Sequence, residues 1–183
     1  MRRIRILLET VVDDTRGAEI AEAAAVLPLM FMILLGIFWF GQAFSIYGVI
    51  TRAAQEGARA AALPYCATCT PGGTAVANAV TAVENTLSTA NLNPNLAQYP
   101  AALPSLNACT IGGGTGSTAC DGASSNVCVQ MPVQLSNTTA GATGVCGVSV
   151  SFQYPFRFWL PFTTLNNQQV WMTASARVRL ENQ

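Results

Sequence analysis

No charged side chain occurs in residues 23–51, and this stretch constrains the fold more than any other feature of the chain. A helix needs only about 20 mostly apolar residues to cross the hydrocarbon of a bilayer. The stretch exceeds that length, and its Ala, Leu, Ile, Met and Phe content favours helix. We predict one membrane-spanning helix at about residues 23–47, within a longer helix of residues 18–63 that Pro64 ends.

The basic residues predict how this helix is oriented. Four arginines precede the stretch, namely Arg2, Arg3, Arg5 and Arg16. Only Arg52 and Arg59 follow it closely. Because positively charged flanks stay on the cytoplasmic side, we predict a cytoplasmic leader of residues 1–17, a single pass, and an exported domain of residues 64–183.

The cysteines agree with an exported domain. All six follow the apolar stretch: Cys66, Cys69, Cys109, Cys120, Cys128 and Cys146. Disulfides persist outside the cytoplasm, and an even number of cysteines permits three of them. Six cysteines allow fifteen pairings, so the sequence predicts probable disulfide cysteines without assigning partners.

The exported region predicts an α+β domain with a second helix and a small antiparallel sheet. Residues 74–90 place Val76, Val80, Val83 and Leu87 at helical spacing. Residues 91–126 are rich in Asn, Pro, Gly, Ser and Thr, which indicates a loop tied down by disulfides. Residues 127–135, 147–154 and 170–180 alternate in polarity, as half-buried antiparallel strands do, and Pro132 and Pro155 indicate edges or strand ends.

The composition disfavours an enzyme. The chain has no histidine and no lysine, so the commonest general base is absent. Beyond residue 17 there are five arginines and six scattered acidic residues, which disfavours both a paired-carboxylate site and nucleic-acid binding. The sequence implies no cofactor and no metal.

Cys66 and Cys69 have the CxxC spacing of thiol oxidoreductases. The βαβ pattern that accompanies such a redox motif is missing, so a structural disulfide, local or distant, is favoured. A reactive thiolate at this motif remains the alternative. Zinc binding is disfavoured because there is no second CxxC.

The boundary between the leader and the helix carries a family resemblance. A basic leader, Gly17, four residues, Glu22 and an apolar helix together resemble a type IV prepilin processing site. The stretches "RGAEIAEAAAVLPLMFMILLGIFWFGQAF…ITRAAQEGARAAA" and "VSFQYPFRFWLPF…VWMTASARVRLEN" are similar to the TadE/TadG-like pseudopilins of tight-adherence (Flp, type IVb) pilus systems. Where that family usually has an aromatic residue after the glutamate, this chain has Ala23.

The resemblance implies a processing site and a set of partners. A membrane aspartyl prepilin peptidase would cut after Gly17, so that Ala18 becomes the new N-terminus and Glu22 the fifth mature residue. The implied partners are the membrane, other minor pilins, the major Flp pilin, the prepilin peptidase and an inner-membrane assembly platform. The implied location is the bacterial inner membrane, with incorporation into the pilus as a further expectation.

Elementary electrostatics supports a role for Glu22. Cleavage would create a positively charged amine at Ala18, and Glu19 and Glu22 would lie near the positive end of the helix dipole. The amine of one subunit would meet Glu22 of a staggered neighbour in low dielectric, where the attraction is stronger than in water. The interpretation is therefore a minor pilin; the alternative is an uncleaved signal-anchored envelope protein whose exported domain binds a ligand or surface.

Overall fold

The computed structural model describes residues 15–63, 73–111, 114–115, 119–120, 126–135, 145–157 and 169–180. By the density of their contacts, Met1–Ala43 and Phe44–Gln183 form two compact units. Helix α1, Thr15–Ala62, belongs in part to each unit.

In the first unit, α1 exposes apolar side chains on every side. Ile20, Met32 and Phe40 each have about seven tenths of their surface exposed, and no residue of the apolar window is buried. A helix that is apolar all round suits a surrounding hydrocarbon phase rather than one packed face. Among the described residues, this is the one helix long and apolar enough to cross a membrane.

In the second unit, α1 has one buried face and one solvated face. The buried face consists of small and apolar residues at helical spacing: Ile50, Ala53, Ala54, Gly57, Ala58 and Ala61. Arg52, Gln55 and Arg59 are exposed on the other side. Glu56 forms an ion pair with Arg59 (3.7 Å) and not with Arg52. Arg59 is exposed and Glu56 partly exposed, so the pair stabilises the helix little.

Helix α2, Gly73–Thr89, packs closely against α1. Its buried line is Ala75, Ala79, Val83 and Leu87, spaced four residues apart. A Cβ placed on Gly57 would lie 2.6 Å from Val83 Cγ2 and 3.2 Å from the Ala79 carbonyl oxygen. Gly57 therefore lets the two helices approach to a distance that no larger residue permits.

Three strands form the main sheet in the order β3-β4-β5, all antiparallel. They are β3 Cys128–Gln134, β4 Cys146–Arg157 and β5 Gln169–Arg179. Two short strands, β1 Thr110–Ile111 and β2 Gly114–Thr115, form a separate antiparallel ribbon. A 3-10 helix, Pro94–Leu96, lies between α2 and β1.

One face of the sheet packs on the helices and closes the core. Val148, Val150 and Phe152 of β4 have no exposed surface, and a Cβ on Gly57 would lie 3.5 Å from Val150 Cγ1. The helices and the sheet thus form a two-layer α+β unit around one apolar core.

The structure confirms the predicted fold class: a long N-terminal apolar helix, a second helix, a three-stranded antiparallel sheet and disulfides. Three details differ. In α2, Val76 and Val80 only flank the core. The buried positions are Ala75 and Ala79, because α1 lies too close to this face of α2 for larger side chains. Residues 91–126 contain the β1–β2 ribbon in addition to loop.

The third difference concerns the sheet: β3 and β4 are buried on both faces rather than half-buried, and β4 continues through Pro155. The Gln153 N–H bonds to the Gln98 carbonyl (2.8 Å), so the odd-numbered residues of β4 direct their backbone groups away from β5. The pairs with β3 end at Ser151. An N–H at position 155 would point toward the β3 side of β4, but the pairing with β3 does not extend beyond Ser151. Proline is tolerated in a strand at such an unpaired position.

Candidate processing and assembly segment

The predicted processing site lies in the first two turns of α1. Gly17 is exposed, and a Cβ added there would meet no heavy atom within 4 Å. Ala18 lies in the helix, although its side chain is outside the described residues. Glu19 and Glu22 are both exposed. The segment therefore presents glycine and carboxylates to its surroundings rather than to the protein core.

The helix begins at Thr15, three residues before the predicted start, so Gly17 lies within the first turn of the uncut chain. That turn contains no acidic residue. N–H groups of a first turn lack partners inside the helix, and such turns fray readily. Removal of residues 1–17 would bring Glu19 and Glu22 into the first turns, close to the new positive amine.

Two side-chain environments meet along α1 beyond this segment. From Ile20 to Phe44 the large apolar side chains are exposed, apart from the half-buried Trp39. From Ile50 onward the helix is buried on one face against α2 and the sheet. Helix α1 thus contributes an exposed apolar segment to the first unit and a core-packed segment to the second.

The described cysteines form two disulfides, Cys109 with Cys146 and Cys120 with Cys128. The first ties the segment before β1 to the start of β4, and the second ties the loop before β3 to its first residue. None of these four cysteines is free. Cys66 and Cys69 lie outside the described residues, so the structure does not bear on the CxxC alternative.

A cleft of about 790 Å³ lies between the end of α1, α2 and the end of β5. Its charged residues are Glu56, Arg59 and Arg179, with Asn85 and Thr86 beside them. The Thr86 hydroxyl already donates to the Ala82 carbonyl (2.8 Å). Within the described ranges, no group of three His, Cys, Asp or Glu side chains is arranged to hold a metal.

Two features of the second unit were not predicted from the sequence. One is the glycine contact at Gly57, which depends on residues of α2 and β4 far along the chain. The other is the environment of Tyr154, which has only 4% of its surface exposed. Burial raises the pKa of its phenol above the usual value, and a hydrogen bond with the Asn93 backbone opposes that rise.

Comparison with known proteins gives a match to the segment that contains Gly17 and Glu22. The family model described as TadE-like protein matches residues 17–59, about a quarter of the chain. No significant match was found among curated proteins or among solved structures.

The matched range begins at Gly17, includes Glu22 and the exposed apolar helix, and ends at Arg59 in the part of α1 that packs on α2. TadE-like proteins are components of pilus systems and are not known as enzymes. With its apolar N-terminal helix and disulfide-bonded domain, the chain has the features of a membrane-anchored exported protein. The segment of residues 17–59 is thus similar to the TadE-like protein family.

Proposed function

We propose that the chain is a minor pilin, or pseudopilin, that takes part in assembling a tight-adherence (Flp) pilus. It is held in the bacterial inner membrane by α1, with its N-terminus in the cytoplasm and its disulfide-bonded domain outside. A prepilin peptidase removes residues 1–17. Its partners are other minor pilins, the major Flp pilin and the inner-membrane assembly platform.

The observation that carries this proposal is the unbroken helix of the TadE-like segment. Gly17 and Glu22 lie at its start, its middle exposes apolar side chains all round, and its end is built into the folded domain. A signal anchor needs only the apolar middle. A pilus subunit also needs its folded domain attached to the helix that packs against its neighbours, and α1 contributes residues both to the apolar segment and to the core of the domain.

Glu22 has the specific role of pairing with an amine. As the fifth residue after the cut, its carboxylate lies on the exposed surface of the helix near the apolar stretch. A carboxylate close to hydrocarbon is costly unless it is paired. The amine at Ala18 of a neighbouring, staggered subunit supplies the opposite charge, so the pair forms only when subunits assemble.

Substitution of Glu22 tests this role, with Glu19 as the matched control. Both glutamates are exposed on α1 within one turn of each other, but only Glu22 holds the fifth mature position. We expect Glu22→Ala to be processed, to remain in the membrane and to lose co-purification with partner pilins. Glu19→Ala should be processed, remain in the membrane and still co-purify with partner pilins. Insertion should not suffer in either variant, because removing a carboxylate makes the segment more apolar.

Gly17→Val separates processing from assembly. A β-branched side chain at the scissile bond should leave the full-length precursor in the membrane, detected by its intact mass. Normal assembly by Glu22→Ala would remove the mechanism and favour the uncleaved signal-anchored envelope protein. An equal defect in Glu19→Ala would show that general acidity at the membrane surface, rather than one paired carboxylate, is what assembly needs.

A further inference from the structure

Among the described residues, none pairs with the outer edge of β5 anywhere along the strand. All eleven residues of β5 pair with β4 in one continuous register, from Gln169 with Arg157 to Arg179 with Gly147. Within the described ranges, no strand lies on the other side of β5. An unpaired edge of this length is a template for the addition of another strand.

The register fixes which backbone groups are open. The Leu180 N–H donates to the Cys146 carbonyl (3.1 Å), so even-numbered residues of β5 bond to β4. The N–H and C=O groups of the odd-numbered residues therefore point away from the sheet. They belong to Gln169, Trp171, Thr173, Ser175, Arg177 and Arg179.

The opposite edge of the sheet is covered by the chain itself. The Cys109 N–H donates to the Pro132 carbonyl (3.1 Å), and the Gln134 N–H donates to the Asn107 carbonyl (2.8 Å). Where β3 has not yet begun, before Cys128, Gln98 exchanges two backbone hydrogen bonds with Gln153 of β4. β5 has no such cover among the described residues and contains neither a proline nor a bulge, which are the usual ways of closing an edge.

The side chains along β5 define what can pair there. Arg177 and Arg179 are exposed on one face of the strand, two residues apart, and no described strand carries an acidic residue. At the other end, Val170 and Trp171 have 47% and 40% of their surface exposed. The edge is thus cationic at one end and apolar at the other, and it repels a basic strand while attracting an acidic one.

We propose that the β5 edge binds an extended, acid-bearing segment of a partner protein by strand addition. The segment presents two carboxylates, two residues apart, opposite Arg177 and Arg179, and apolar side chains toward Val170 and Trp171. Main-chain hydrogen bonds to the odd-numbered residues of β5 supply affinity, and the carboxylates select the segment and its register. This inference does not rest on the minor-pilin proposal, since it uses only the exported sheet.

A second copy of β5 is a poorer occupant. Antiparallel pairing of two β5 strands relates the copies by a two-fold axis normal to the sheet. A second β5 carries arginines and no acidic residue, so it offers no carboxylate to Arg177 and Arg179. A dimer that depends on the β5 edge would therefore overturn the proposed occupant.

Synthetic strands test the proposal on the full chain in detergent. The probe is a blocked peptide of about nine alternating threonine and valine residues, with two threonines two positions apart replaced by glutamate. The control peptide has lysine at those positions. We expect the glutamate peptide, and not the lysine peptide, to slow amide hydrogen exchange in the fragment containing β5. Equal protection by both peptides, or by neither, overturns the proposal.

Two variants separate backbone from charge. Ser175→Pro removes one outward N–H without removing a hydrogen bond to β4. It should weaken binding of the glutamate peptide about tenfold or more. Ser175→Thr should bind this peptide as tightly as the wild type does. Arg177→Glu with Arg179→Glu should invert the preference toward the lysine peptide, a result that stays decisive if the proline variant fails to fold. Arg157→Glu, an exposed control on β4, should leave the preference unchanged. Unchanged preference in the double variant overturns the charge argument.

Discussion

Gly57 provides the sharpest test of how the helix is built into the domain. We consider the substitution Gly57→Ala, which adds one methyl group where α1 meets α2. The new carbon would lie 2.6 Å from Val83 Cγ2 and 3.2 Å from the Ala79 carbonyl oxygen. Valine in a helix has one strongly preferred rotamer, and a backbone carbonyl cannot move aside without displacing its helix. The clash is therefore not relieved by a simple rotation.

The expected magnitude follows from two opposing terms. Overpacking a filled core costs about 1–3 kcal/mol, whereas replacing glycine by alanine inside a helix gains up to about 1 kcal/mol. Gly48→Ala isolates the second term, because Gly48 lies in the same helix and a Cβ there would meet no atom within 4 Å, so the overpacking cost is absent. The two variants should differ in free energy of unfolding by about 1–3 kcal/mol.

Thermal unfolding of the purified full chain in detergent, followed by near-ultraviolet circular dichroism, measures this difference. A difference of about 2 kcal/mol corresponds to about 4–8 °C in Tm for a chain of this size. Gly57→Ala should unfold below the wild type and Gly48→Ala at or above it. Adding Val83→Ala to Gly57→Ala should cost less than the sum of the single changes, because the clashing methyl is gone. Equal Tm values for the two glycine variants would refute the close contact between α1 and α2.

Three further predictions concern the disulfide-bonded domain. The denatured, unreduced protein should contain no reactive thiol, and four or more per chain in a thiol assay would contradict this. Replacing Cys109 and Cys146 by serine should cost about 4 kcal/mol and replacing Cys120 and Cys128 about 2.5 kcal/mol in urea unfolding, because the first disulfide closes the longer loop, a sequence separation of 37 against 8; the reverse order would contradict the loop-closure argument. The folded pKa of Tyr154 lies above its unfolded value, so the stability that the neutral phenol contributes is complete below about pH 10 and is lost as the pH rises through the folded pKa. Tyr154→Phe should therefore lose less stability than the wild type between pH 9 and 11, and parallel losses would refute the assignment.

Periodicity made the main elements predictable from the sequence. The uncharged residues 23–51 leave little alternative to a long apolar helix. Alternation of polarity located the strands to within a few residues, because the side chains of a strand take turns on its two faces. The prediction of half-burial was wrong for β3 and β4, which are buried on both faces.

Contacts between distant residues were not predictable in the same way. In the sequence Gly57 is an ordinary helical glycine. Its role follows only from the structure, which places Val83 and Val150 beside it. The pairing of Cys109 with Cys146 depends on the segment before β1 lying along β3, whose residue Gln134 is opposite Cys146. The candidate processing segment is the reverse case: its prediction depended on the local order of Gly17 and Glu22, which no long-range contact reveals.

Mass spectrometry of the N-terminal peptide, on protein isolated from membranes, tests the central claim most directly. The measurement compares cells that contain a prepilin peptidase with cells that lack it, using the otherwise unchanged chain. We predict a mature form that begins at Ala18 in the first case and a precursor that keeps residues 1–17 in the second. A functional protein that keeps residues 1–17 when the peptidase is present would contradict the minor-pilin account and leave the signal-anchored envelope protein in its place.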